Sequence, residues 1–219
     1  MTTEATVRRD IVDLGASLFE RRLTFGRTGN ISARVGTQML VTPTGVSLGS
    51  LDPDALSVLD ASTGEHLEGP RPSKEAFLHA AMYRARPDAK AVVHTHSTYS
   101  VAVSCLADVD AEDALPPLTA YYVMRVGRLP LLTYHAPGDD SLGDLAESTA
   151  RQCHAMLLAN HGPVVAGQDV AAAADALEEL EETARLFLLL RTETTRPLTA
   201  QQAADLRRRF SPSPVMGTS

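Results

Sequence analysis

Ala91-Val92-Val93-His94-Thr95-His96 is an apolar run that ends in two histidines separated by one residue. Because side chains alternate between the two faces of a β-strand, His94 and His96 are predicted to project to the same side of a strand over residues 90–96. Two imidazoles placed in this way have the geometry of the first two protein ligands of one divalent ion. The alternative is that each histidine lies separately in a core or on the surface.

Two further segments carry side chains that suit the same ion. Leu157-Leu158-Ala159-Asn160-His161-Gly162 is a second apolar run that leads into a histidine. Glu75 adds a carboxylate at the start of a helix predicted from about Lys74 to Arg86, with Ser73 as its cap. Three histidines and one glutamate are typical of a catalytic zinc site, in which one coordination position opens to substrate.

The composition excludes several classes of function. A chain of 219 residues with 44% hydrophobic content is long enough to bury one core. Its net charge of −7 argues against a surface for nucleic acid or anionic membrane, and no apolar run approaches the roughly 20 residues that cross a bilayer. The two cysteines lack CxxC spacing, and the N-terminus does not resemble a signal peptide. We therefore expect a reduced, cytoplasmic protein.

The lysine content bears on the choice between metal and imine chemistry. Lysine occurs only at Lys74 and Lys90, and arginine supplies all other positively charged side chains. A Schiff-base enzyme needs a desolvated lysine. Lys90 lies in a predicted polar turn, and Lys74 adjoins the candidate ligand Glu75. The composition therefore favours metal chemistry.

Strands and helices interleave along the chain, which predicts an α/β fold. The periodicity predicts helices over 5–23, 74–86, 97–106 and 170–191, and strands over 39–42, 56–59, 90–96, 129–134, 155–159 and 163–166. The acidic stretch Glu178–Glu182 is predicted to be a solvated helix face. Residues 1–195 are predicted to form a single domain, and residues 196–219 a polar tail that is partly disordered around Ser211–Pro214.

Three short polar segments together predict a phosphate site near the ion. Gly29-Asn30-Ile31-Ser32 and Thr42-Pro43-Thr44-Gly45 contain glycine and small polar side chains, and turns of this kind present N–H groups and hydroxyls to phosphate. Ser73 and Lys74 add a hydroxyl and an ammonium group at a predicted helix start. Taken alone, each of the first two segments is weak evidence, since most turns that contain Gly, Asn and Ser are only turns. The candidate substrate-binding residues are Gly29, Asn30, Ser32, Thr44, Gly45, Ser73 and Lys74.

In their order and spacing, these motifs resemble the class II aldolase/adducin family over residues 5–190. The resemblance implies a three-layer αβα sandwich with a central mixed, largely antiparallel sheet. It also implies one Zn²⁺ per subunit, or another divalent metal, held by His94, His96 and His161. Glu75 matches the family's catalytic carboxylate, which ligates the metal when no substrate is present and then transfers protons.

The resemblance further implies a homotetramer with active sites at the subunit contacts. Tyr121 or Tyr122 falls where the aldolases carry a catalytic tyrosine from a neighbouring subunit. Which of the two tyrosines reaches the site is left open by the sequence.

Within the family, residues 43–49, 73–79 and 115–125 resemble a branch of decarboxylases that act on 3-oxo-tetronate 4-phosphate in sugar-acid breakdown. Fuculose-phosphate aldolase has two serines where this chain has Ser73 and Lys74. The resemblance implies that zinc stabilises the enediolate left by loss of carbon dioxide, and that protonation yields dihydroxyacetone phosphate. Lys74 or Arg125 would bind the substrate carboxylate. The alternatives are a fuculose-type aldolase, a ribulose-phosphate 4-epimerase and a non-catalytic adducin-like binding protein.

Overall fold

One eight-stranded sheet runs through residues 3–210, the part of the chain that the computed structural model describes. Its strands are β1 (Asn30–Val35), β2 (Gln38–Val41), β3 (Ser57–Asp60), β4 (His66–Glu68), β5 (Ala91–His94), β6 (Leu131–Leu132), β7 (Ala155–Leu158) and β8 (Gly162–Gly167). The helices are α1 (Glu4–Glu20), α2 (Ala76–Ala85), α3 (Thr98–Ser104), α4 (Ala120–Arg125), α5 (Ser141–Ala150), α6 (Val170–Leu189) and α7 (Ala200–Phe210). Short 3-10 turns lie at Leu48–Ser50 and Pro53–Ala55.

The order of strands across the sheet is β4-β3-β2-β1-β5-β8-β7-β6. Every neighbouring pair is antiparallel except β6 and β7. Successive residues of a strand enter opposite cores: Ala91 and Val93 pack with α1, α3, α4, α6 and α7, and Val92 packs with α2 and α5. The predicted three-layer sandwich with a mixed, largely antiparallel sheet is therefore confirmed.

The predicted elements agree with the structure in most places and differ from it near the candidate site. Asn30 and Ser32, predicted to lie in a turn, belong to β1, where they alternate with core residues. The helix predicted from Lys74 begins at Ala76, so that Glu75 occupies the N-cap position. Ser73 does not cap this helix; its hydroxyl accepts a hydrogen bond from the N–H of Glu75 at 3.3 Å.

Part of the predicted polar tail is helical. Over residues 200–210 the chain forms α7, in which Ala203 is buried and Leu206 packs against the core formed with α4 and α6. The predicted disorder around Ser211–Pro214 falls outside the described residues, and the assignment of residues 1–195 to one domain stays a prediction. None of the helices between residues 3 and 210 has the length and the apolar composition that a membrane crossing requires.

The acidic stretch of α6 contains a buried carboxylate, contrary to the predicted solvated face. Glu181 is 6% exposed and accepts hydrogen bonds from the backbone N–H groups of Tyr99 and Ser100, each at 2.8 Å. The Ser100 hydroxyl donates a third bond at 2.6 Å. Because the first N–H groups of a helix have no carbonyl partner within it, Glu181 anchors α3, which begins two residues after His96.

Replacement of Glu181 by Ala is expected to lower the free energy of unfolding by about 2–4 kcal/mol, because it leaves two backbone N–H groups without an acceptor. Urea unfolding followed by circular dichroism measures the loss. Glu182→Ala is the matched control, since Glu182 is exposed and pairs with Arg185 in the same helix. Equal losses in the two variants would contradict the anchoring role of Glu181.

Candidate active site

Four metal-ligating side chains meet at one end of the sheet. Glu75 precedes α2, His94 is the last residue of β5, His96 follows it by two residues, and His161 lies between β7 and β8. One potential ligand atom from each residue lies within 4.8 Å of the corresponding atoms of the others. The structure thus brings together all four predicted ligands, called the ligand cluster below.

A glycine allows His161 to reach the other two histidines. A Cβ atom on Gly162 would lie 2.3 Å from the carbonyl oxygen of Thr95, so a larger residue does not fit against the end of β5. His96 lies just beyond β5 rather than within it as predicted, yet its ring centroid is 5.0 Å from that of His94. Close backbone packing therefore places the three rings side by side.

The nitrogen atoms of the ligand cluster point into one space. Nε2 of His161 lies 3.0 Å from Nε2 of His96 and 3.1 Å from Oε1 of Glu75. Nδ1 of His94 donates to the carbonyl oxygen of Pro163 at 2.8 Å, which leaves the lone pair of Nε2 facing the cluster. This Nε2 atom is buried and has no hydrogen-bond partner among residues 3–210. A buried nitrogen left unpaired beside two imidazoles and a carboxylate fits a divalent metal ion.

The protonation states of the cluster also suit a metal. Burial lowers the pKa of His94, and burial together with the neighbouring imidazoles lowers the pKa of His96 to about 4. Burial raises the pKa of the Glu75 carboxyl, but His94, His161 and the Asn30 amide together lower it by more, so the pKa lies below its ordinary value. Neutral imidazoles and an ionised carboxylate are the forms that bind a metal.

A chain of buried hydrogen bonds lies behind Glu75. Asn30 donates from Nδ2 to Oε2 of Glu75 at 2.9 Å, and Oδ1 of Asn30 lies 2.5 Å from Nε2 of His79. Nδ1 of His79 lies 2.7 Å from the Ser32 hydroxyl, which is 2.8 Å from the Tyr83 hydroxyl. Ser32, predicted to bind substrate, is fully buried and belongs to this hydrogen-bonded chain instead.

His79 and Tyr83 were not among the predicted site residues. Their signal is the four-residue spacing Glu75, His79, Tyr83, which places three polar side chains on one side of a helix. Burial, reinforced by His94, lowers the pKa of His79 to about 3, so its ring is neutral.

A cavity of about 320 Å³ opens onto Glu75 and contains the predicted phosphate-binding segments. Predicted residues in its lining are Gly29, Asn30, Thr44, Gly45, Ser73 and Lys74. Two backbone hydrogen bonds, from Thr44 to Arg71 and from Ser73 to Thr42, hold two of these segments side by side. Arg27 and Thr28 line the same cavity and were not predicted, although they directly precede Gly29 in the sequence.

A second cavity, of about 420 Å³, shares His96, Pro137 and His161 with the first. Phe25, Val101, Tyr134 and His135 contribute to its lining. The ligand cluster is therefore reached from two spaces, of which one contains two cationic side chains and the other is largely aromatic and apolar.

Three predicted site residues are not brought to the ligand cluster within one chain. Tyr122 is 1% exposed and packs in the core, whereas Tyr121 is 60% exposed. Of the two tyrosines, Tyr121 is therefore the one accessible at the surface of the chain. Arg125 pairs with Asp175 of α6 and lines a different cavity, which also includes His154.

The fold and the ligand cluster define a metal-dependent enzyme. Residues 9–188 match the family described as class II aldolase and adducin N-terminal domain. The chain belongs to the class II aldolase and adducin family, as the sequence motifs predicted. Since its glutamate and three histidines are all present and in contact, it is a metal-dependent lyase of this family.

Relatives extend over nearly the whole chain. The 3-oxo-tetronate 4-phosphate decarboxylase of Pectobacterium atrosepticum is 48% identical over 208 residues, which cover 94% of each chain. The L-fuculose phosphate aldolase of Methanocaldococcus jannaschii is 32% identical over 183 residues, or 83% of this chain and 96% of the relative. The crystal structure of YgbL from Klebsiella pneumoniae, described as an aldolase, epimerase or decarboxylase, has a TM-score of 0.92 at 44% identity and covers 94% of this chain and 100% of its own.

Replacement of His96 by Ala is expected to remove most zinc from protein purified after zinc loading, because two imidazoles and the Glu75 carboxylate, which substrate displaces, would hold the ion less tightly than three imidazoles do. Glu75→Gln is expected to keep most of it, since all three imidazoles remain. Metal content per chain is measured by mass spectrometry, with His66→Ala on the exposed strand β4 as the control. Stoichiometric zinc in His96→Ala would contradict the ligand assignment.

Proposed function

We propose that the chain catalyses decarboxylation of a 3-oxo-tetronate 4-phosphate to dihydroxyacetone phosphate and carbon dioxide. His94, His96 and His161 would hold a divalent metal ion, zinc in the first place, and Glu75 would complete its ligands when substrate is absent. One observation carries the proposal: the ligand cluster shares a cavity with two cations, Arg27 and Lys74. A sugar acid phosphate, which has two anionic groups, matches this arrangement.

The chain's own residues account for substrate binding. The substrate has a phosphate at one end and a carboxylate at the other. Arg27 and Lys74 are exposed to the cavity, and Lys74 takes part in no ion pair among residues 3–210. Thr44 and Ser73, which carry hydroxyl groups, line the same cavity. We therefore expect one phosphate to accept hydrogen bonds from these residues while its charge is offset by a cation.

Decarboxylation moves the electron pair of the breaking carbon–carbon bond towards the adjacent ketone. A bound divalent ion supplies Lewis-acid polarisation of that ketone. Asn30 donates to Oε2 of Glu75, so Oε1, which lies 3.1 Å from Nε2 of His161, is the oxygen that would transfer a proton. Addition of a proton to the carbon that lost carbon dioxide gives dihydroxyacetone phosphate. Glu75, which is ionised beforehand, would take up this proton from solvent and deliver it at the edge of the cavity.

The second candidate is cleavage of a sugar phosphate by an aldolase of the fuculose type. The 32% identity to an L-fuculose phosphate aldolase favours it, and the ligand cluster suits both reactions. An aldolase releases an aldehyde where a decarboxylase releases carbon dioxide. A 4-epimerase would release neither product, and the complete ligand cluster argues against a non-catalytic adducin-like binding protein.

We also propose a homotetramer with active sites at the subunit contacts, and the cytoplasm as its compartment. The exposed ring of Tyr121 on α4 supports a contribution to a neighbouring site. Cys105 and Cys153 are not paired with each other, which suits a reducing compartment.

The zinc-loaded protein incubated with 3-oxo-tetronate 4-phosphate is expected to release carbon dioxide and dihydroxyacetone phosphate in equal amounts. A coupled assay for dihydroxyacetone phosphate and a carbon dioxide electrode measure the two products. L-Fuculose 1-phosphate serves as the comparison substrate. Release of dihydroxyacetone phosphate from L-fuculose 1-phosphate, but not from 3-oxo-tetronate 4-phosphate, would favour the aldolase. Turnover of neither compound at full zinc content would overturn both activities.

Replacement of Lys74 by Ser is expected to lower kcat/KM for the keto acid phosphate about ten- to a hundredfold, which corresponds to about 1.5–3 kcal/mol for a hydrogen bond to a charged group. Zinc content is expected to stay unchanged. The matched control is Lys90→Ser, because Lys90 is the only other lysine and is exposed before β5. Equal kcat/KM values for Lys74→Ser and the unsubstituted protein would contradict a contact of Lys74 with the substrate carboxylate or phosphate.

A further inference from the structure

The side-chain amide of Asn30 fixes the direction of each hydrogen bond in the buried hydrogen-bonded chain behind Glu75. Its NH₂ group donates to Oε2 of Glu75, so its Oδ1 faces His79. An amide oxygen only accepts, so His79 carries its proton on Nε2. Nδ1 of His79 then accepts from the Ser32 hydroxyl, which accepts in turn from the Tyr83 hydroxyl. All donors therefore point towards Glu75.

We propose that His79 is a positioning residue for Glu75. Through Asn30 it holds Oε2 of the carboxylate in one orientation, which keeps Oε1 directed for proton transfer. The inference rests on the proposed function, since it assigns His79 a role in proton transfer by Glu75. It adds to that function a residue whose hydrogen bonds go to Asn30 and Ser32 rather than to the ligand cluster, and which lines neither of the two cavities.

The burial of this hydrogen-bonded chain of side chains supports the role of His79. Asn30, Ser32, His79 and Tyr83 are all at most 3% exposed, and their neighbours on α2 and β2 form an apolar core. Polar groups in such a core are costly unless every one of them is paired, whereas apolar side chains could fill the same space. The chain ends on a single oxygen atom of Glu75, which indicates that it orients this carboxylate.

The position of Glu75 gives a second, independent indication. Glu75 occupies the N-cap of α2, where a short polar side chain commonly bonds to the first N–H groups of the helix. Its carboxylate makes no such bond and is turned towards Asn30 instead. At the far end of the chain, the guanidinium of Arg34 covers the Tyr83 ring at 4.6 Å and donates to the Tyr83 carbonyl oxygen. Both ends of the chain are thus held.

The tautomer of His79 directly tests the direction of the hydrogen bonds between Tyr83 and Glu75. Long-range ¹H–¹⁵N NMR of the metal-free, unsubstituted protein is expected to show a neutral His79 with its proton on Nε2 and an unprotonated Nδ1. The signal is assigned by its loss in His79→Gln. A proton on Nδ1 would place Asn30 in the opposite orientation and overturn the proposal. This measurement needs neither substrate nor bound metal.

The kinetic test compares His79→Leu with His79→Gln. The Leu variant is expected to lower kcat for the keto acid phosphate roughly 10–100-fold, as removal of a hydrogen-bond partner behind a metal ligand commonly does. KM and zinc content are expected to stay unchanged, because the cavity and the imidazoles are intact. Gln retains an N–H donor near the position of Nε2, so it is expected to recover most of kcat.

His154→Leu is the control for loss of stability alone. His154 bonds to the carbonyl oxygen of Ala166 at 3.0 Å, and it precedes β7 at the end opposite His161. The His154→Leu variant is expected to leave kcat unchanged. Unchanged kcat in His79→Leu, or equal losses in the Leu and Gln variants, would overturn the positioning role. If the unsubstituted protein turns over no substrate, the proposed function fails. The tautomer of His79 still decides the direction of the hydrogen bonds that lead to Glu75.

Discussion

The antiparallel pairing of β5 with β1 and β8 is the constraint on which the candidate site depends. It sets Asn30 directly opposite His94 at the end of the sheet. At the same end the backbones approach closely. A Cβ on Gly29 would lie 2.9 Å from the His94 carbonyl oxygen, and one on Gly162 would lie 2.3 Å from the carbonyl oxygen of Thr95, the residue that follows β5. Side chains at these two positions would separate the strands and the ligands with them.

The α/β class and the ligand cluster could be predicted because each depends on a short local pattern. His94 and His161 both follow apolar runs that form buried strands, and His-Gly permits the close approach. The strand β1 could not be recognised locally, since Asn30 and Ser32 are polar and find their partners on α2. The role of Glu181 depends on N–H groups about eighty residues away in the sequence. Hydrogen bonds between residues so far apart in the sequence leave no local sequence pattern.

Orientation on a helix explains why the remaining site residues differ from expectation. Tyr121 and Tyr122 are adjacent on α4, and successive residues of an α-helix point about 100° apart. One ring consequently enters the core while the other is exposed. Arg125, one turn further, is drawn to Asp175 on α6 rather than to the ligand cluster. A short sequence motif can place such residues on an element, but the packing of that element decides which way each side chain points.

Charge links the cavity to the choice between the two candidate reactions. Under the proposed function, the substrate has a carboxylate in addition to its phosphate, and Arg27 and Lys74 supply two cations at the cavity. Loss of carbon dioxide first moves the negative charge to the ketone, and protonation then removes it. The product therefore has less negative charge than the substrate and is attracted less strongly by the same two cations. An aldol cleavage that leaves the phosphate as the anionic group in both substrate and product would gain no comparable discrimination from Lys74.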